Sequence, residues 1–471
     1  MNYNYQKDQT RHNDSVKHSG DVQLCFDMTN NAPVFLPYED RFLHTLILGD
    51  SGWARDTTML SLINQDIENK EVGVTVIDSN GTLSRKAAMM AEHYGRTFTY
   101  FDPSLSDCPF FNPLIGKESD VVENITMTFR MLNPDSPKFF LDLNEQLIRN
   151  AIKVLKRMDK AEGVDGRYAT FINLSTLLQN TAGKGRAMVQ EFSRITARTL
   201  EEAKENADIT SWFLNVYFAE NSKIYENTSG VRSQVAKLVS NKYLREVLNP
   251  DYDKGERNQI DFDRHLAEGG IICISTVQGA LRDLSKYLGY FIILQLQSAA
   301  FRRSGNENTL RPNMIYIDDF HLYFHRAFSQ MLTQTRSYRL AFHLATPARA
   351  QVGIGGGYSN HEEAELEISL ACKNVVLYHG CSKKDAEYYS GEFGEQKTSG
   401  GLTYAPIFSA QEIVYGPANE IIYRIFSNSS IQPPQRGKVM DIPKELNDEL
   451  DKMVDNYLTS HKRLSDDGEV S

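Results

Sequence analysis

Only five cysteines occur in the 471 residues (Cys25, Cys108, Cys273, Cys372, Cys381), and no two share C-x-x-C spacing. Zinc-ribbon ligation and a disulfide framework are therefore excluded, and the pattern fits a reducing compartment. A long apolar run is missing as well. The longest, around Tyr287 to Ala300, is broken by Gln295 and Gln297 and is too short to span a bilayer. The first 22 residues are polar without an apolar segment, which argues against a signal peptide; a disordered lead-in is expected there. Nor is there an excess of positive charge. The formal net charge is −10, so no overall basic field attracts nucleic acid, and any such contact must be local. There is no internal repeat and no low-complexity tract.

What is present is most informative between His44 and Thr58. The apolar β-type residues Leu46, Ile47 and Leu48 enter a turn at Gly49, and Thr57-Thr58-Met-Leu-Ser-Leu-Ile63 begins an amphipathic helix. This is the layout of a phosphate-binding loop, G-x-x-x-x-G-K-[ST]. In such a loop backbone N–H groups wrap phosphates at a helix N-terminus, a Lys reaches the outer phosphates and a hydroxyl holds Mg²⁺. The candidate nucleotide-binding stretch is Gly49, Asp50, Ser51, Gly52, Trp53, Ala54, Arg55, Asp56, Thr57 and Thr58. Counted from Gly49, the second glycine is Ala54, the lysine is Arg55 and the Ser/Thr is Asp56. Arg55 keeps a positive charge, but its planar fork is no substitute for a compact ammonium. Asp56 sets a carboxylate where a hydroxyl should meet the metal, and Trp53 adds bulk where backbone should approach. Ordinary Mg²⁺–ATP binding is not expected of this loop.

Around the loop the pattern is α/β. Leu46–Leu48, Val72–Ile77 and Thr97–Phe101 read as strands, separated by helices over Thr57–Glu68 and about Leu83–His93. Strand, helix, strand, helix, strand is the signature of a parallel sheet. From about Ser119 to Asn221 the periodicity turns helical, as in Phe140, Leu143, Leu147, Ile148, Ala151, Val154 and Leu155. The α/β pattern then returns with strands at Gly270–Ser275, Asn313–Ile317, Leu340–Ala345 and Asn374–Tyr378, and a mostly buried helix over Tyr287–Arg303. The expected organisation is a lead-in (1–22), a discontinuous core (23–118 and 222–440), an all-α insertion (119–221), and a C-terminal helix with a polar tail (441–471).

A second constellation is Ile315-Tyr-Ile-Asp318-Asp319-Phe320. Apolar strand residues that deliver an acid at the carboxyl end are what a second nucleotide motif requires. The first acid holds Mg²⁺ and the next polarises the attacking water. Asp318 and Asp319 are the catalytic candidates. Asp319 is one methylene shorter than the usual Glu, and proton transfer depends on reach. The third segment runs from Arg336-Ser-Tyr338 to Ala345-Thr-Pro347-Ala-Arg349-Ala-Gln351. Arg336 and Arg349 could face a neighbouring subunit's phosphates or simply be solvated, and Pro347 lacks the side-chain amide that would sense a γ-phosphate. Arg232, Lys237, Arg302 and Arg303 are weaker candidates for a local basic surface. No metal ligand set is recognised.

These segments, in this order, resemble the coupling-protein ATPases of conjugative type IV secretion (the TraG/TraD group), which belong with the FtsK/HerA-like DNA motors. Pro37–His44 resembles the approach to the family's first motif. Val76-Ile-Asp78 resembles the strand that ends in an acid, and Leu294–Arg303 precedes the second motif as in the family. The stretch Thr335–Gln351 resembles the family's R-K-Y-G and A-T-Q-S segments. The resemblance implies a RecA-like P-loop core with an inserted all-α domain, assembly into homo- or hetero-oligomeric rings, and DNA, relaxosome or other secretion components as partners. It further implies a cytoplasmic location or a peripheral one at the inner face of the cell membrane. ATP with Mg²⁺ is the cofactor if the loop is active. Changes at Arg55, Asp56, Asp319 and Pro347 all fall on nucleotide chemistry while the apolar framework stays intact. A coupling-protein-like subunit with lost or weak hydrolysis, a pseudo-ATPase, is therefore the leading expectation. An active DNA translocase and a RecA-fold scaffold in another bacterial or mobile-element process are the alternatives.

Overall fold

The structure, a computed structural model, describes residues 20–49, 53–250, 258–354, 358, 361–398 and 403–462. Its strands are β1 (Val22–Asp27), β2 (Pro33–Leu36), β3 (Thr45–Leu48), β4 (Gly73–Asp78), β5 (Phe98–Phe101), β6 (Ile271–Ser275), β7 (Asn313–Ile317), β8 (Leu340–Thr346) and β9 (Asn374–Tyr378). Then follow β10 (Glu395–Lys397), β11 (Tyr404–Pro406), β12 (Glu420–Arg424), β13 (Phe426–Ser427), β14 (Ser430–Ile431) and β15 (Gln435–Val439). Eleven strands form one sheet in the order β2-β1-β15-β12-β9-β3-β8-β7-β4-β6-β5. From β9 to β5 every pairing is parallel. The remaining four strands add an antiparallel wing on β9. The α/β class and the parallel core match the sequence reading; the wing is a feature that the reading lacks.

The parallel strands are apolar on both faces because helices cover both. Along β7, Met314 and Tyr316 pack with the helices α1 (Trp53–Glu68) and α2 (Thr82–His93). Ile315 and Ile317 alternate to the opposite face, against the helix Leu284–Arg302. The C-terminal helix Lys444–His461 lies on α2 and buries Leu450 there. Among the described residues no strand occurs between β5 and β6, and helices continue beyond residue 221 as far as Phe262–Glu268. β1 starts at Val22, inside the stretch expected to be a lead-in; residues 1–19 lie outside the described residues. No helix of the described residues is long and apolar enough to cross a membrane.

Beneath the sheet an ion pair locks α1 to the two central strands. Arg41 is fully buried and donates to both oxygens of Asp66, in the last turns of α1. Tyr316 of β7 donates to Asp66 Oδ2 at 2.5 Å, and His343 of β8 stacks on the Tyr316 ring at 4.5 Å. Removing one partner of such a pair strands the other charge in a low-dielectric interior. Replacement Asp66→Asn is expected to cost about 3–5 kcal/mol of unfolding free energy, measured by urea denaturation; a loss below about 1 kcal/mol would show that Arg41 is solvated or re-paired.

Candidate functional site

The parallel topology brings the two candidate motifs to one edge of the sheet. Gly49 follows β3 and Asp318 follows β7, with β8 between them. Gly49 N–H donates to the carbonyl of Thr346 at the end of β8. Glycine is required here on steric grounds, since a Cβ would come within 2.5 Å of Tyr378 Cβ. Asp50, Ser51 and Gly52 lie outside the described residues. Trp53 and Ala54 open α1 four residues earlier than the sequence pattern suggested. Thr57 and Thr58 are buried, and the Thr58 hydroxyl lies 2.5 Å from Tyr378 Oη. This contact ties α1 to β9.

Arg55 does not point to solvent. It is 2% exposed, and its Nη2 sits 2.9 Å from an oxygen of both Asp318 and Asp319. With Asp319 the contact is a hydrogen bond; with Asp318 it is an ion pair off the hydrogen-bonding axis, and that oxygen has no hydrogen-bond partner. Asp319 takes a left-handed backbone conformation (φ 49°), and its other oxygen accepts from Ser79 Oγ at 2.9 Å. The candidate lysine position and the second-motif acids are thus joined directly to each other.

The electrostatics are those of an acid-rich pocket around the buried Arg55 guanidinium. Burial pushes the Asp318 carboxyl up to about 7; Arg55 opposes this, while Asp319, Asp56 and Asp78 add to it. Burial also raises the Asp56 carboxyl against the pull of Arg55. Asp78 is raised to about 6 by burial, and its oxygens accept from the Ser84 hydroxyl and the Leu83 and Ser84 amides. That acid anchors the first turn of α2. Beside it a cavity of about 470 Å³ is lined by Asp56, Thr57, Leu60, Leu83, Lys86 and Lys444.

The other candidates separate. Pro347 directly follows Thr346 and so stays beside the loop. Arg349 is buried, with its guanidinium 3.4 Å from the Tyr388 ring centroid and 3.4 Å from Glu365. It is engaged within its own subunit. Arg336 is exposed and precedes β8, at the opposite end of the strand from Asp318, so the structure does not bring it to this site. Of the weaker basic candidates, Arg302 pairs with Asp120 and Asp263, Arg303 donates to three carbonyls, and Arg232 stacks on Tyr225. Sequence reasoning missed Ser79, Tyr378 and His321, whose Nδ1 lies 3.1 Å from Thr346 Oγ1. Ser79, immediately after Asp78, was the one within reach of the pattern. Among the described residues no group of three or more His, Cys, Asp or Glu side chains is placed to hold a metal ion.

A seven-stranded parallel sheet with a loop-and-helix motif and an acid-ended strand one strand apart defines a RecA-like P-loop class. Solved structures narrow it. The plasmid coupling protein TrwB, in complex with the GTP analogue GDPNP, matches with a TM-score of 0.63 at 14% identity, over 89% of this chain and 90% of that chain. TrwB in complex with ADP and Mg²⁺ matches with a TM-score of 0.63 at 15% identity, over 88% of each chain. VirB4 of Thermoanaerobacter pseudethanolicus matches with a TM-score of 0.53 at 12% identity, over 90% of this chain and 97% of that chain. No family model matches the sequence, and no curated protein is significantly similar to it. The fold is that of a type IV coupling-protein-like P-loop ATPase.

A raised carboxyl has a defined consequence for stability. Between an ordinary carboxylate value and about 7 the folded state binds more protons at Asp318 than the unfolded state does, so this group's contribution to stability falls as pH rises through that window. Asparagine carries no such dependence. The melting temperature of Asp318→Asn minus that of the wild type is therefore expected to increase from pH 5 to pH 8 in thermal unfolding. A constant difference would mean that Asp318 stays ionised throughout.

Proposed function

We propose that this chain is a coupling-protein-like subunit of a conjugative, type IV secretion DNA-transfer apparatus in which ATP hydrolysis is lost or nearly so. Its role in this reading is assembly of the apparatus, or handling of DNA and relaxosome substrate, within a homo- or hetero-oligomeric ring. The fold supports the general class. The observation that carries the finer reading is the Arg55 bridge to Asp318 and Asp319.

In a working loop a magnesium ion mediates between the first acid and the phosphates, and the lysine is free to reach the outer phosphate. Here the residue at the lysine position is spent on the acids, and Asp56 replaces the hydroxyl that would hold the metal. At an effective dielectric near 20, a carboxylate about 4 Å from a phosphate charge is repelled by roughly 4 kcal/mol. Magnesium with a triphosphate does not fit these side chains, and no hydrolytic step is assigned to them. The helical stretch between β5 and β6 is proposed as the inserted domain that receives substrate.

The reversion Arg55→Lys with Asp56→Thr tests this reading. The wild type is expected to show no saturable Mg²⁺–ATP binding and no turnover, and the double variant to gain binding by at least tenfold, measured by calorimetric titration. Turnover by the wild type with Mg²⁺ would favour the active translocase instead.

A further inference from the structure

The antiparallel wing carries a groove of about 670 Å³ on the far side of the sheet from the Arg55 bridge. Residues 37–40 line it and precede β3, whereas Gly49 follows β3, so the groove lies at the amino ends of the parallel strands. Much of its wall is apolar. Val34, Phe35 and Tyr38 come from β2 and the turn after it, and Tyr423, Ile425 and Pro433 from β12 and the approach to β15. β2 is the outermost strand of the sheet and bonds to β1 alone. Asp21, Asp27, Glu39 and Asp40 line the same groove, and no lysine or arginine is among the described residues that do. Asp27 is met by neutral donors, the Thr29 and Asn30 amides and the Tyr423 hydroxyl. Two arginines reach the acids from outside the lining. Arg339 pairs with Glu39 at 2.7 Å, and Arg336 pulls on Asp40, whose carboxyl is nevertheless raised by burial, with Glu39 and Asp21 adding to it. Such a lining repels nucleic-acid phosphates and anionic lipid headgroups, and its acids are not gathered as a metal ion needs.

We propose that this groove is a docking surface for an extended, lysine- or arginine-bearing peptide segment of a partner protein. An apolar groove rimmed by acids selects that occupant by charge complementarity, which speeds encounter and fixes register. Extended chain beside an outermost strand sends successive side chains to opposite sides, so apolar residues meet the Val34 and Phe35 wall while basic ones reach the acids. Lysine and arginine suit such a surface because their methylene stems lie on apolar groups while the charged head stays wet. The Tyr38 and Tyr423 rings offer further faces to a cation; Arg339 already uses Tyr38 in this way, with its guanidinium 5.0 Å from the ring centroid. The inference concerns a partner, and it stands whether or not the Arg55 site turns over ATP.

Fluorescence anisotropy of the full-length protein with a fluorescein-labelled peptide of three Lys-Leu-Pro repeats tests the surface. Saturable binding is expected, weakened at least tenfold by Asp27→Asn combined with Asp40→Asn, and weakened by added salt. Ala32 is exposed and lines the groove, so Ala32→Lys sets a cation there without removing a polar side chain. A tenfold loss is expected of it even if the double variant does not fold. The same change of charge at exposed, remote acids, Glu201→Gln with Glu220→Gln, is expected to leave the affinity unaltered. Absent binding, an equal loss in the remote pair, or Ala32→Lys binding as tightly as wild type would overturn the proposal. Self-association that Ala32→Lys abolishes would make the occupant a second copy. Tenfold tighter peptide binding when Lys7, Arg11 and Lys17 are all replaced by serine would make it the chain's own first residues. Either result also overturns the partner segment.

Discussion

A single guanidinium holds together the two motifs that would otherwise meet through a nucleotide. Arg55 and Asp318 are both almost wholly removed from solvent, and the pair sits at 2.9 Å. The gross attraction at that distance is about 6 kcal/mol at an effective dielectric near 20. Desolvation takes back much of it, as it does for any buried pair. What the contact secures is geometry: it fixes the first turn of α1 against the end of β7 with no bound ligand required. Burial, with the neighbouring acids Asp319, Asp56 and Asp78 adding to it, pushes the Asp318 carboxyl up to about 7.

This contact depends on the strands beneath it. β8 separates β3 from β7, so Arg55 must reach across the end of one strand to find its acids. The reach is set from both sides of the sheet end. Tyr378 of β9 closes against Gly49 and Thr58, while the Arg41–Asp66–Tyr316 cluster pins the far end of α1 to β7. An α1 held at both ends cannot roll, and its third residue is therefore delivered to the same place. Asp78 performs the equivalent service for α2 by bonding the Leu83 and Ser84 amides.

The parallel core was legible because its strands are short, largely apolar runs, several of them β-branched and closed by a turn residue, as in Val74–Asp78 and Met314–Asp318. The antiparallel wing was not. β2 (Pro-Val-Phe-Leu) is only four residues long and opens on a proline, and β15 (Gln-Arg-Gly-Lys-Val) is mostly polar and half exposed, so neither stands out from loop. The amphipathic pattern begins only at Thr57, yet Arg55 and Asp56 are helical as well. At the site, sequence order marked Arg55 and Asp319 as changed positions. It could not mark them as partners, for they lie 264 residues apart and meet only in the folded sheet. Arg336 is exposed and precedes β8, at the opposite end of that strand from Asp318, as a solvated residue would be.

The changed residues suit one another in size. An arginine is longer than the lysine it replaces, and Asp319 is shorter than the glutamate that the resemblance would place there. With aspartate at 319, Arg55 Nη2 comes to 2.9 Å from both acids. The left-handed backbone of Asp319 (φ 49°) points the same way, because Asp tolerates that conformation better than most longer side chains. Ser79 then fills the remaining acceptor on Asp319 from β4's end. Random loss of a catalytic lysine would leave two uncompensated acids in a buried site. Here length, conformation and hydrogen bonding agree on a direct contact between the two motifs, the contact on which the proposed loss of hydrolysis rests.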